Sequence, residues 1–436
     1  MGKALANFIL LLICWVGAHT AVQAQSLYFP PPVGTTWDTL APQRFGYRQA
    51  SIDSLYGYLD RTNTKAFLLL RDGKVVLERY FDRFTRDSVW YWASAGKTMT
   101  AFAVGLAQQE GLLSINQPTS TNLGPGWTSL PHTQEQRITV RHQLSMTTGL
   151  DDAVPNLNCT RPACLTYRAD PGTRWAYHNA PYTLLDSVVE RATGQSMSAF
   201  LAQRLRLRTG INGIFLPTGD NNVYYSTART MARFGLLMLN RGTWGTTPIL
   251  TDTAYYRQLI TPSQALNPSY GYLWWLNGQA AHMLPQVPQV YPGPLTPIAP
   301  ADMYAALGKD GQMLCVVPSQ RLVWVRLGQA PPIPGGLVVV PYLNQTWVYI
   351  NRLTGPTAAG RVHSQNQITA WPQPANARLF VEGLAAGVPY QVFSATGKVV
   401  LQGAWPGEGV PLSLQALPPG SYRLQAGKAT LRFAKA

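Results

Sequence analysis

Residues 90–111, WYWASAGKTMTAFAVGLAQQEG, set a serine (Ser94) and a lysine (Lys97) inside an apolar run whose only other charge is Glu110. Ala95, Met99, Phe102, Ala103 and Leu106 recur at helical spacing. The opposite face, with Ala101, Val104 and Gly105, is hardly more polar, so the spacing predicts a helix buried all round. Gly111 provides a stop, and Ser94 falls in the first turn, where serine is a common cap. Three residues apart, Ser94 and Lys97 share a face. No carboxylate lies at helical spacing from Lys97, and a crowded apolar setting drives an ammonium to give up its proton. A neutral lysine beside a serine is a base beside a nucleophile, which is what acyl transfer requires.

The chain has 436 residues, 46% hydrophobic and 13% charged, enough for a large core and more than one domain. Its formal charge is +15, but the lysines and arginines are dispersed and form no block. That pattern reads as general surface charge, not a nucleic-acid site, and would favour loose attachment to an anionic cell envelope. Residues 1–24 read as a secretory signal peptide, with an apolar stretch from Phe8 to Val16 and small-residue cleavage after Ala24. The apolar stretch is too short for a membrane span, and no other transmembrane anchor is expected. Cys14 leaves with the signal. Cys159 and Cys164, in NCTRPACL, are expected to form a small disulfide loop in an exported protein. A metal site there lacks two further ligands, and no cofactor is expected. Cys315, in QMLCVVP, reads as a buried thiol.

Residues 26–355 have the texture of a mixed α/β enzyme. KAFLLLRDGKVVLERYF (65–81) reads as a hairpin about Arg71-Asp72-Gly73-Lys74. Residues 111–242 read as helical with long loops. Strands return in MYAALG (303–308), GQMLCVVPS (311–319) and RLVWVRLG (321–328), so one sheet closed by distant segments is expected. Residues 356–367 read as a linker and residues 368–436 as a small all-β sandwich.

Two further elements follow Ser94-x-x-Lys97. Tyr177-His178-Asn179 gives Y-x-N, and Lys309-Asp310-Gly311 gives K-x-G, expected on a strand. Tyr342-Leu343-Asn344 and Tyr349-Ile350-Asn351 also match Y-x-N and are assigned to a packed terminal helix. The order S-x-x-K, Y-x-N, K-x-G resembles the serine β-lactamase and penicillin-binding-protein family, in its class C-like branch of esterases, peptidases and amidases. The resemblance spans residues 26–355 and takes in ITVRHQLSMTTGLDD, PGTRWAYHNAPY and YGYLWW. It implies a β-lactamase/transpeptidase-like α/β fold, an antiparallel sheet flanked by helices with a helical subdomain.

Carried over by position, the resemblance makes Ser94 the nucleophile and Lys97 or Tyr177 the base. Asn179 would orient Lys97 or the substrate, and Lys309 would supply positive potential. The Ser94 and Gln312 backbone N–H groups would form an oxyanion hole, with room left by Gly311. His178 reads as a pocket-lining group. Asp310 departs from the pattern, since relatives place a hydroxyl there to hold a substrate carboxylate. A carboxylate at this point repels anions, so small neutral esters or amides are expected as substrates ahead of penicillins or cell-wall peptides. A non-catalytic penicillin- or peptidoglycan-binding protein on the same fold is the other class of reading.

The C-terminal segment resembles the type A sorting domain of the type IX secretion system, through Pro372-Gln373-Pro374-Ala375, Gly397-Lys398, Leu417–Tyr422 and Lys435. This implies the type IX machinery as a partner and a secreted or cell-surface location.

Overall fold

The computed structural model describes residues 26–332, 340–354, 368–371, 375, 377–382, 384–407, 410–427 and 429–435. The expected signal peptide and linker, Cys14, and Pro372 to Pro374 lie outside the described residues.

Helix α1 (Gln49–Arg61) leads into the expected hairpin, β1 (Thr64–Arg71) and β2 (Lys74–Tyr80). Strand β3 (Val89–Tyr91), a 3-10 turn (Ala93–Gly96) and helix α2 (Lys97–Gln109) follow. Short helices α3 (Ser120–Leu123), α4 (His132–Glu135) and α5 (Val140–Leu144) precede the long helices α6 (Asn179–Thr193) and α7 (Met197–Thr209). Next come the hairpin β4 (Gly213–Thr218) and β5 (Asn221–Thr227), helix α8 (Ala228–Leu239), the small ribbon β6 (Thr243–Trp244) and β7 (Thr247–Pro248), and helix α9 (Thr253–Leu259). Then β8 (Trp275–Leu276), the hairpin β9 (Ala281–Leu284) and β10 (Val287–Pro292), strands β11 (Tyr304–Gly308), β12 (Gln312–Val317) and β13 (Leu322–Gly328), and helix α10 (Val340–Asn351) complete this part.

The central sheet has the order β2-β1-β13-β12-β11-β8, all antiparallel. Early and late segments meet at β1 and β13, where Thr64 faces Gly328 and Arg71 faces Leu322. Strands β12 and β13 are buried along their whole length, as continuous apolar runs between two covering layers should be. Helix α8 covers one face: a Cβ placed on Gly235 would lie 2.6 Å from Leu314 and Val323 side-chain atoms, so only glycine allows this approach. Helices α1 and α10 pack together on the sheet. Both extra Y-x-N matches lie in α10, as expected.

Two readings are corrected. The middle region is not wholly helical, because Gly213–Thr227 forms a hairpin that joins β3 as a separate sheet, β3-β5-β4. The alternation in NNVYYST was masked by its position between two strongly helical segments. The K-x-G element is not on a strand either. Lys309–Gly311 is the tight turn between β11 and β12, and Asp310 sits there at φ +64°, a left-handed conformation that aspartate tolerates better than most residues.

The C-terminal segment forms two sheets. β14 (Thr369–Trp371), β15 (Arg378–Glu382) and β18 (Leu412–Ser413) make one, and β17 (Val399–Ala404), β16 (Pro389–Ser394), β19 (Gly420–Ala426) and β20 (Ala429–Lys435) make the other. Their inward residues, among them Leu379, Val392, Leu412, Leu424 and Phe433, share a core of their own. This is the small all-β domain expected.

Candidate active site

Ser94 lies in the 3-10 turn ahead of α2 and caps nothing, because neither that turn nor α2 has a side-chain cap bond. The residue before it, Ala93, is held at φ +47°. A non-glycine residue in this region is strained and persists only where its surroundings over-determine it. They do so here: Trp92 N–H donates to Tyr224 O, and its indole N–H donates to Ser226 Oγ at 2.8 Å. Gly308, at the end of β11, backs directly onto the turn. A Cβ there would lie 2.4 Å from Trp92 O and 3.0 Å from the Ala95 nitrogen.

Lys97, at the start of α2, is 2% exposed. Its Nζ donates to Ser94 Oγ at 3.1 Å and to Asn179 Oδ1 at 2.9 Å. Asn179, the first residue of α6, donates in turn to Asn158 Oδ1 at 2.8 Å. The Lys97 Nζ also rests 3.8 Å from the centre of the Tyr182 ring and 5.1 Å from that of Tyr177. Tyr177 is buried and stacks on Trp275 (centroids 5.9 Å apart). The structure thus brings Ser94, Lys97, Tyr177 and Asn179 together at the junction of α2 and α6.

A sequence model described as Beta-lactamase matches residues 58–336, well over half of the chain. The chain belongs to the Beta-lactamase family. An uncharacterized protein of Alkalihalophilus pseudofirmus is 24% identical over 297 residues, 59% of this chain and 81% of that protein. Among solved structures, a penicillin-binding protein homolog from Caulobacter crescentus superposes with a TM-score of 0.55 at 14% identity, covering 73% of this chain and 100% of the other. EstA from Arthrobacter nitroguajacolicus Rue61a gives 0.53 at 17% identity, covering 75% and 100%. At such identities the superpositions carry the fold, and the fold of this Beta-lactamase family member is the β-lactamase/transpeptidase-like one.

The electrostatics of this family member's site follow from burial. Loss of hydration lowers the Lys97 ammonium from its ordinary 10.5 to about 7, and Asp186 opposes the shift. Burial raises the Tyr177 phenol well above its usual value, with the neighbouring Ser94 hydroxyl acting in the opposite direction. His178, also buried, falls to about 4 and is therefore neutral. Asp186, two turns along α6 from Asn179, is pushed up to about 7 by burial. It accepts hydrogen bonds from Thr100 Oγ1 (3.1 Å) and Asn222 Nδ2 (2.9 Å).

The K-x-G turn is placed by a residue that no motif flags. Arg326, with no exposed surface, donates to Asp310 O, Gly311 O, Thr62 O, Gln329 O and Thr64 Oγ1 at 2.6–3.1 Å. Gln312 is also buried, and its side-chain amide clamps both backbone groups of Gly328. Asp310 is half-buried and accepts a 2.6 Å hydrogen bond from Tyr91 Oη. Lys309 is exposed and forms no ion pair among the described residues. Cys159 and Cys164 are joined by a disulfide immediately after Asn158, and Cys315 is a buried free thiol. Among the described residues no cluster of three or more His, Cys, Asp or Glu is placed to hold a metal ion. No helix there is long and apolar enough to cross a membrane.

Sequence reading missed Asn158, Tyr182, Asp186, Gly308 and Arg326. Tyr182 and Asp186 were within reach, since they follow Asn179 on one face of a recognisable helix. The other three are defined only by tertiary contact.

Proposed function

We propose that this chain is a serine hydrolase that forms an acyl-enzyme at Ser94 and acts on small neutral esters or amides. One observation carries the reading: a buried lysine, part-neutral at physiological pH, hydrogen-bonded to the Ser94 hydroxyl. Neutral Lys97 takes the Ser94 proton as Oγ bonds to the substrate carbonyl carbon. The Ser94 and Gln312 backbone N–H groups bind the developing oxyanion. Tyr177, held as a neutral phenol, gives its proton to the departing oxygen or nitrogen and recovers one from Lys97. Water then attacks the acyl-enzyme by the same path in reverse. The raised phenol supports Lys97 as the base and Tyr177 as the proton donor. The half-buried Asp310 carboxylate disfavours penicillins and cell-wall peptides with a free carboxylate.

A fluorophosphonate probe followed by mass spectrometry tests this. An adduct on Ser94, absent in Ser94→Ala together with ester hydrolysis, is expected. An intact, folded protein that neither labels nor hydrolyses would instead be a binding protein on this fold.

We also propose that the protein is exported and that its C-terminal domain is a type IX sorting signal removed on secretion. The segments 1–24 and 368–436 support this. Terminal sequencing of protein from the native culture medium should find both absent. Retention of Phe433 to Ala436 would refute it.

A further inference from the structure

We propose, on the premise that Lys97 is the base for Ser94, that Asn158 is a positioning residue for Lys97 held in place by the Cys159–Cys164 disulfide, so that the rate of hydrolysis depends on the redox state of that bond. The contacts run in a line. Lys97 Nζ donates to Asn179 Oδ1 at 2.9 Å, and Asn179 Nδ2 donates to Asn158 Oδ1 at 2.8 Å. The residue after Asn158 is Cys159, tied to Cys164.

An amide has an accepting end and a donating end of nearly the same shape. Asn158 offers Asn179 an oxygen, which only accepts, and so turns the accepting end of Asn179 toward Lys97. The consequence is chemical. A neutral amine has one lone pair. With an N–H of Lys97 directed at Asn179 Oδ1, the lone pair is left for the Ser94 hydroxyl. Turned over, the Asn179 amide would donate to that lone pair and compete with Ser94 for it.

No helix or strand spans Ser145 to Arg161, and the anchors of Asn158 are few. Its N–H donates to Asn156 Oδ1 at 3.0 Å, and Leu157 O accepts from Ala180 N–H at 2.9 Å. The disulfide adds a covalent tie to Cys164, whose neighbour Leu165 is buried in one small core with Ala180, the second residue of α6. Asn158 is thereby fastened to the helix that carries Asn179. The two cysteines are only 5 residues apart, and a bridge that closes a short loop constrains the unfolded chain less than one that closes a long loop. Its place beside Asn158 therefore points to positioning.

Cys159 is 1% exposed, whereas Cys164 is half-buried and Arg161, Pro162 and Ala163 are exposed. A dithiol reaches the Cys164 sulfur. One thiolate of the reductant attacks there, the S–S bond breaks, and Cys159 leaves as a thiolate that takes up a proton. The second thiol of the reductant then displaces Cys164, which leaves as a thiol, and the reductant closes to its own disulfide. Two electrons have passed to the protein, and Asn158 has lost its tie. A chain in a reducing compartment is thus a slower hydrolase than the same chain after oxidation.

Hydrolysis of 4-nitrophenyl acetate by the full chain tests this, before and after treatment with dithiothreitol and desalting under argon. Alkylation of an aliquot, read by mass spectrometry, counts the freed thiols. Reduction should lower kcat about tenfold, the equivalent of about one hydrogen bond, with KM within about twofold. It should also move the acid limb of the kcat/KM profile to lower pH, because the acceptor that favours the Lys97 ammonium is lost. Reoxidation should restore both. The double variant Cys159→Ser/Cys164→Ser should match the reduced protein and ignore dithiothreitol. Asn158→Ala should show the same loss, while Asn158→Asp, which still accepts from Asn179, should keep kcat and move the limb to higher pH through its charge. Wild-type kcat and limb in Asn158→Ala or in the fully reduced protein overturns the proposal, as does an equal loss in Asn158→Asp and Asn158→Ala. Where the ester is not turned over, the rate at which a fluorophosphonate labels Ser94 is the readout, with the same tenfold falls expected. Labelling at one rate in all forms overturns the positioning role and leaves the nucleophile standing, and no labelling of the oxidised wild type overturns both.

Discussion

Replacing Lys97 with methionine should make the protein more stable at pH 7 and nearly inactive. The folded state lowers the Lys97 pKa from 10.5 to about 7. Between those values the native state binds fewer protons than the unfolded chain, so this residue's contribution to stability is full above 10.5 and is lost as pH falls through about 7. One pKa unit is worth about 1.4 kcal/mol, so burying this amine costs about 4 kcal/mol at pH 7, and the cost shrinks by about 2 kcal/mol on going to pH 9. Methionine removes that cost. It also removes the bonds to Ser94 and Asn179, a loss of about 1–2 kcal/mol. The desolvation effect is the larger, leaving a net gain of about 2 kcal/mol at pH 7 and little or none at pH 9. Urea unfolding of both proteins at the two pH values, followed by tryptophan fluorescence, measures this difference. Loss of the base should lower kcat/KM at least about a thousandfold. A variant less stable than wild type by the same amount at both pH values would show that Lys97 is not held neutral, and the mechanism would fail with it.

Asp186→Asn removes a negative charge that raises the Lys97 pKa, so the acid limb of the kcat/KM profile should move to lower pH; a limb that stays in place would separate Asp186 from the base. Gly308→Ala drives a Cβ into Trp92 O and should shift the Ser94 turn, lowering kcat/KM about a hundredfold with the circular dichroism spectrum intact; wild-type activity would refute the packing. Asp310→Asn keeps the left-handed backbone and an acceptor for Tyr91, and should improve anionic relative to neutral substrates up to about tenfold. An unchanged ratio would remove Asp310 from substrate selection.

What could be read in advance was local. Ser94 and Lys97 are fixed by a three-residue spacing on a helix whose apolar texture is plain. The β1–β2 hairpin and the late strands are plain because their runs are long and bounded by turns. The β4–β5 hairpin was not, since its period-two signal is brief and lies between helices. K-x-G looked like strand because Lys309–Gly311 adjoins two apolar strands, while the turn itself is set by Arg326 from β13. Asn158, Gly308 and Arg326 have no sequence signature, because their places follow from contacts across the fold.

The meeting of β1 with β13 has a consequence for how the molecule is made. Arg326 Nε reaches Thr64 Oγ1 across 262 residues of sequence, and the strand that completes the sheet is the last long strand of its domain. On a ribosome, α2 emerges with Ser94 and Lys97 long before the sheet it packs against exists. Non-local pairing of this kind is intrinsically slow. The Ser94–Lys97 pair is therefore among the first chemistry synthesised and among the last assembled, so a chain stalled before Leu322 carries both residues and the 309–311 turn sequence but lacks β13 and the Arg326 that holds that turn in place.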